Sequence, residues 1–114
     1  MDGIWSVEIY GLDGWESVGV LVVDGADVVG GGNHHYTVGR LESGRREVRM
    51  ALSLDYFGTP RTLFGEAGNH TCVELEGEHE GDDVHGTLRN VGRPNMQITT
   101  RLHRLVGLPA GYRH

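Results

Sequence analysis

Glu47-Val48-Arg49-Met50-Ala51-Leu52-Ser53-Leu54-Asp55-Tyr56 is the stretch on which the fold turns. Val48, Met50, Leu52 and Leu54 alternate with Arg49, Ala51, Ser53 and Asp55, an apolar stripe with a period of two. Successive side chains of a strand point to opposite faces, so this pattern buries one face and leaves the other in water. A helix would need apolar residues three and four apart. No glycine-free window longer than about ten residues has that spacing.

The same alternation extends outward in both directions. Upstream, Gly3 to Tyr10 sets Trp5, Val7 and Ile9 against Ile4, Ser6, Glu8 and Tyr10. Gly11-Leu12-Asp13-Gly14 is a turn, and Trp15 to Val23 is a strand with Val18, Val20 and Val22 on one face. Asp24-Gly25 carries a type I′ hairpin signal, so a third strand runs from Ala26 to about Gly30. Gly30-Gly31-Gly32-Asn33 starts another turn, Tyr36 to Leu41 is the fourth strand, and Glu42-Ser43-Gly44-Arg45 leads into the stretch quoted above. Downstream, Phe57 to Asn69 is the longest irregular segment, with Leu63 and Phe64 as apolar anchors. Strands follow over Thr71 to His79, Val84 to Asn90 and Met96 to Leu105, separated by Glu80-Gly81-Asp82-Asp83 and Gly92-Arg93-Pro94-Asn95.

About eight short antiparallel strands joined by tight turns predict an all-β, up-and-down meander. Eight strands are enough to close a barrel, and closure removes exposed edges. A two-sheet sandwich is the alternative. Residues 1–106 form one domain on this reading, and 107–114 form a loosely ordered tail.

Composition narrows the function. The chain has 114 residues and a formal net charge of -6. Nucleic-acid affinity comes largely from Lys and Arg displacing counterions, so direct nucleic-acid binding is not expected. Arg40, Arg45, Arg46 and Arg49 do cluster, but Glu42 and Glu47 interleave with them. The single cysteine, Cys72, allows no internal disulfide, which suits a reducing compartment. The opening residues lack a basic region followed by an apolar run, and no stretch approaches the roughly 18 apolar residues of a membrane helix. The expectation is a cytoplasmic protein with no membrane association.

No arrangement of reactive residues has the spacing of a known chemistry, so no catalytic residue, metal ligand or cofactor is expected. His34 and His35 are neighbours, which point to opposite faces of a strand. His79 and His85 flank a hairpin and would face each other across a three-residue turn, as two zinc ligands do, but two more ligands are missing. Cys72 lies in mid-strand, where cysteine is usually a small buried hydrophobe. Gly30-Gly31-Gly32 is followed by no helix to bind phosphate. The acidic run from Glu76 to Asp83 reads as a charged hairpin tip. Trp5 and Trp15 sit near the ends of the first hairpin, as aromatics that plug a barrel do. With Met50 and Leu52 they would line a pocket for a small apolar ligand if the barrel were hollow, although strands this short predict a filled interior.

Asp2-Gly3-Ile4-Trp5-Ser6, then Val18 to Gly25, then Val29-Gly30-Gly31-Gly32, then Tyr36 to Gly39 and Leu41, resemble the GrlR family of negative regulators of type III secretion gene expression. The resemblance implies a lipocalin-like eight-stranded barrel, a homodimer, and a non-enzymatic role. In that role the barrel binds a transcriptional activator and holds it inactive, with no cofactor. The family's activator contact falls in the hairpin before the fifth strand, which here presents Glu42, Arg45, Arg46 and Glu47. An acidic barrel offers a complementary face to a basic partner. The second functional expectation is a carrier or sensor of a small apolar molecule.

Overall fold

The computed structural model describes residues 1–58 and 62–107. Among these, eight strands follow in chain order: β1 (Gly3–Gly11), β2 (Gly14–Asp24), β3 (Asp27–Gly31), β4 (His35–Gly44), β5 (Glu47–Tyr56), β6 (His70–Glu80), β7 (Asp83–Asn90) and β8 (Gln97–Val106). Each pairs antiparallel with the next, and β8 pairs with β1, so the sheet closes into a barrel. The sandwich is thereby excluded. The predicted tail beyond Gly107 lies outside the described residues.

The stripe of β5 forms the spine of the core. Val48, Met50, Leu52 and Leu54 are all buried. Met50 stands opposite Leu75 and Leu52 opposite Val73, and Leu75 in turn faces Leu88. Three neighbouring strands thus contribute their apolar faces to one interior, as a barrel's alternation requires.

The hairpin turns differ in detail from expectation. Asp24 pairs with Asp27, so Gly25 and Ala26 are the central residues. Gly25 has a φ of 62°, while no residue other than glycine has a positive φ among those described. Positive φ at the first central residue alone is the type II′ pattern. The β6–β7 turn repeats it, with Glu80 paired to Asp83 and Gly81 at 64°.

The expected single face of Val18, Val20 and Val22 is broken by a bulge. Val7 pairs with Gly19 and Glu8 with Ser17, which leaves Val18 as the extra residue. A bulge reverses the alternation on one side of it. Val18 therefore packs against the core, while Leu21 and Val23 are buried and Val20 is 41% exposed. The glycine run is also not a turn as a whole. Gly30 and Gly31 belong to β3 and pair with both β2 and β4. A Cβ on Gly30 would lie 2.1 Å from the Val20 carbonyl oxygen, so the backbones approach too closely for a side chain.

His79 and His85 do not face each other. Glu78 pairs with His85 and His79 with Val84, which puts the two histidines on opposite faces of the sheet. The His79 ring turns inward, 6.1 Å from the Trp5 ring, and His85 stays outside near Glu80 and Asp83.

Candidate functional site

The two ends of the barrel are built differently. At one end, Trp5 is buried to 1% exposure and acts as a plug. Its Nε1–H donates to the Met1 carbonyl at 2.9 Å, and the Arg104 guanidinium lies 4.7 Å from its ring centre. Val23, Val28, Val48, Met50, Val84 and Leu102 fill the interior around and above it, none more than 2% exposed.

The other end is hollow. A cavity of about 540 Å³ opens there, walled by Val7, Leu21, Leu52, Leu54, Val73, Leu75 and Leu88 from the core. The filled interior expected from strand length is thus found in only half of the barrel. The physical reason lies in the side chains. The plugged half holds a tryptophan and a methionine, whereas the apolar wall of the hollow half is made of valines and leucines, with polar and aromatic groups only toward its mouth.

Polar groups gather at the mouth. Glu16 and Ser17 from β2, Asn33 and His34 from the β3–β4 connection, and His35 and Thr37 from β4 line it. The bulge at Val18 is what turns Glu16 toward the opening, since Glu16 stands opposite the inward-facing Ile9. Burial, with the neighbouring His34 charge, pushes the His35 imidazole below its ordinary pKa, so the neutral ring faces the cavity. The His35 and Tyr56 rings lie 5.5 Å apart, and burial raises the Tyr56 phenol above its ordinary value.

Thr62 and Leu63, in the segment after β5, cover part of the mouth. Leu63 and Phe64 pack against the core, as predicted of them, and Leu63 also lines the cavity. The Leu63 N–H donates to the Tyr56 hydroxyl oxygen at 2.9 Å. Glu66 accepts from Asn90 Nδ2 at 2.6 Å and pairs with Arg93 Nε at 3.4 Å, which ties this segment to the β7–β8 turn. Thr62 is 7% exposed and lines the cavity, and its buried hydroxyl has no hydrogen-bond partner among the described residues.

Of the residues predicted for an apolar pocket, Leu52 lines the cavity. Met50 lies within the filled half and Trp5 plugs the far end. Trp15 is on the outer wall, edge-on to Tyr10 at 5.3 Å and under Arg101 at 4.1 Å. The pocket is therefore aliphatic where aromatics were expected. The pairing of His35 with Tyr56 went unread because it depends on the register of β4 against β5, and Thr62 joins them from the segment after β5, which no spacing in the chain signals.

Glu42, Arg45, Arg46 and Glu47 are all exposed and cluster at the β4–β5 turn, at the plugged end. Glu42 occupies a bulge between Leu41 and Ser43. Beside this turn, a groove of about 530 Å³ crosses the outer wall of β5 to β7. Glu47, Glu74, Glu76 and Glu78 line it together with Arg49 and Arg89. Arg89 pairs with both Glu74 and Glu76. Among the described residues, no group of three or more His, Cys, Asp or Glu side chains is placed to hold a metal ion. No helix among them is long and apolar enough to cross a membrane. No known protein family matches the chain, and no curated protein matches it.

Proposed function

We propose that the barrel binds a small, largely apolar and uncharged molecule in the cavity at its open end. The observation that carries this reading is the cavity itself, about 540 Å³ with an aliphatic wall. Sites that hold drug-sized molecules span about 300–1,000 Å³ and combine an apolar lining with a few polar groups. The neutral His35 and the unpaired Thr62 hydroxyl suit a ligand carrying one hydrogen-bonding end, such as a hydroxyl or carbonyl. A buried hydroxyl without a partner costs about 1–3 kcal/mol, which a ligand oxygen reached by rotation of the side chain would recover.

The test is fluorescence titration with N-phenylnaphthylamine, a neutral apolar probe that brightens on leaving water. Saturable binding at one site per chain is expected. Leu54→Trp, which fills the cavity from its wall, is expected to abolish it, whereas Leu12→Ala, on an exposed turn, leaves it unchanged. Absence of saturable binding, or equal binding by Leu54→Trp, would remove the proposal.

A second reading is favoured by the acid-rich groove. It is that of a regulatory module, similar to the GrlR family, that holds a basic partner such as a transcriptional activator. Glu47, one of the residues predicted for such a contact, lines the groove with three further glutamates. Co-purification of a partner, lost on changing Glu42 and Glu47 to Ala, is the expected result. The same resemblance implies a homodimer. Val20, Val29, Tyr36 and Val38, exposed together on the outer wall of β2 to β4, supply an apolar face for one. Light scattering is then expected to give twice the mass of the chain at micromolar concentration.

A further inference from the structure

On the outer wall, away from the cavity, three side chains form a hydrogen-bonded chain. Asp55 of β5 stands opposite His70 of β6 in the ladder, and its Oδ1 lies 2.9 Å from His70 Nδ1. His70 and Cys72 are two residues apart on one strand, so their side chains share a face. Cys72 Sγ lies 3.5 Å from His70 Nε2. When Nδ1–H donates to the Asp55 carboxylate, Nε2 carries the lone pair and accepts the thiol proton. The carboxylate thus selects the tautomer in which the ring is a base toward sulfur.

This arrangement has the parts of an activated nucleophile: a thiol, a base within reach of it, and an acid that orients the base. It is also open to solvent. Cys72 is exposed, and the His70 and Asp55 side chains are 50% and 37% exposed. The buried, inert cysteine expected from its mid-strand position is therefore not what the fold presents. The register sets Cys72 opposite Ser53 on the polar face of the sheet. Of the other charged groups on this face, Glu74 pairs with Arg89 on β7, while Arg49 of β5 and Arg40 of β4 stand further along it. On β4, Tyr36 stands across from Asp55.

We propose that Cys72 is a reactive thiol that undergoes exchange with small disulfides, with His70 as its base and Asp55 as the positioning residue. In the step, His70 Nε2 takes the Sγ proton and the sulfur attacks one sulfur of the incoming disulfide. The disulfide bond breaks, a mixed disulfide forms on Cys72, and the released thiolate takes up the proton. The chain has one cysteine. No internal thiol can displace the new bond, so the modification persists until an external thiol reverses it. The result is a reversible cap on the outer wall. No cleft is required, because exchange needs only access to the sulfur.

The test uses the full chain and the neutral disulfide dithiodipyridine, whose released thione is followed by absorbance. Only a few per cent of an ordinary thiol is ionised at neutral pH, which limits the gain from a base to about thirtyfold. At pH 7 the wild type is expected to react about tenfold faster than His70→Asn, with Asp55→Asn in between. At about pH 10 any thiol is ionised without help, and the three rates are expected to converge. Circular dichroism confirms that each variant is folded, and mass spectrometry is expected to find one adduct, on Cys72. Equal rates at pH 7 would overturn the proposal. So would a His70→Asn deficit of the same size at both pH values, which marks a steric effect. A chain-to-chain disulfide as the main product would also overturn it.

Discussion

His35 shows how one side chain ties the site to the stability of the fold. Its position in the mouth withdraws the ring from water, and the adjacent His34 opposes a second positive charge, so its pKa lies below the ordinary 6.5. Unfolding removes the burial, the larger of the two causes, although His34 remains its neighbour in the chain. As the pH falls through 6.5, the unfolded chain takes up a proton that the fold resists, until the pH passes the lower folded value. Stability is thus full above that window and declines within it as the pH falls. Urea midpoints measured on either side of the window are expected to be lower on the acid side, with a smaller difference in His35→Gln. In an NMR titration, His34→Ala is expected to move the His35 midpoint upward. Trp5 presents the opposite case, a residue whose role is bulk. Trp5→Ala is expected to lose about 3–5 kcal/mol in urea unfolding, because the space left at the plugged end has few side chains able to collapse into it. Trp5 was legible as a plug from its place in the first alternating run. The Asp55–His70–Cys72 chain was not. It depends on the register of β5 against β6, and residues fifteen or more apart carry no mark of that register in the sequence.

At the scale of elements, strand existence followed from alternation, and face assignment failed wherever the ladder was irregular. β5 to β7 keep period two from end to end, and β8 keeps it as far as Arg104, before a bulge at Leu105, so their inward residues could be read directly. β2 does not, because its bulge exchanges the faces on either side of Val18, and no residue type announces a bulge there. Glycine pairing is the other hidden determinant. Gly77 stands opposite Gly86 in the β6–β7 ladder. A Cβ on Gly86 would lie 2.0 Å from the Glu76 carbonyl oxygen and 2.7 Å from Gly77 Cα. Both obstacles are backbone, which no rotamer change can move aside. Gly86→Ala is therefore expected to cost about 1–3 kcal/mol by forcing the strands apart. Gly107→Ala is the natural control, since a Cβ there meets nothing within 4 Å. Urea unfolding of the two variants side by side checks the contrast.

At the scale of the whole molecule, the barrel divides into a filled half and a hollow half, and the two halves differ in what holds them closed. Around Trp5 the interior is continuous, with Val28, Met50 and Leu102 fully buried and strand pairs running through on every side. At the mouth, closure rests on fewer and more exposed links: the Tyr56–Leu63 hydrogen bond, the Glu66–Asn90 and Glu66–Arg93 contacts, and the packing of Leu63 and Phe64. Local opening follows the density of buried apolar contact and the exposure of the hydrogen bonds that resist it. Amide exchange is therefore expected to be slowest at Met50, Leu75 and Leu102, and fastest among the described residues of the segment from Thr62 to Asn69. Glu66→Gln, which keeps an acceptor for Asn90 but removes the charge facing Arg93, is expected to speed exchange at Leu63 and leave Met50 unchanged. A bound ligand would act in the opposite sense, because it supplies the cavity wall with the contacts it lacks and binds the folded state alone. Protection gained at Leu54, Leu63 and Leu88 on adding N-phenylnaphthylamine, with none gained around Trp5, is the pattern expected if the cavity is the binding site. Protection that rose uniformly around the barrel would place the probe elsewhere, and a rise confined to β5 to β7 would place it in the acid-rich groove.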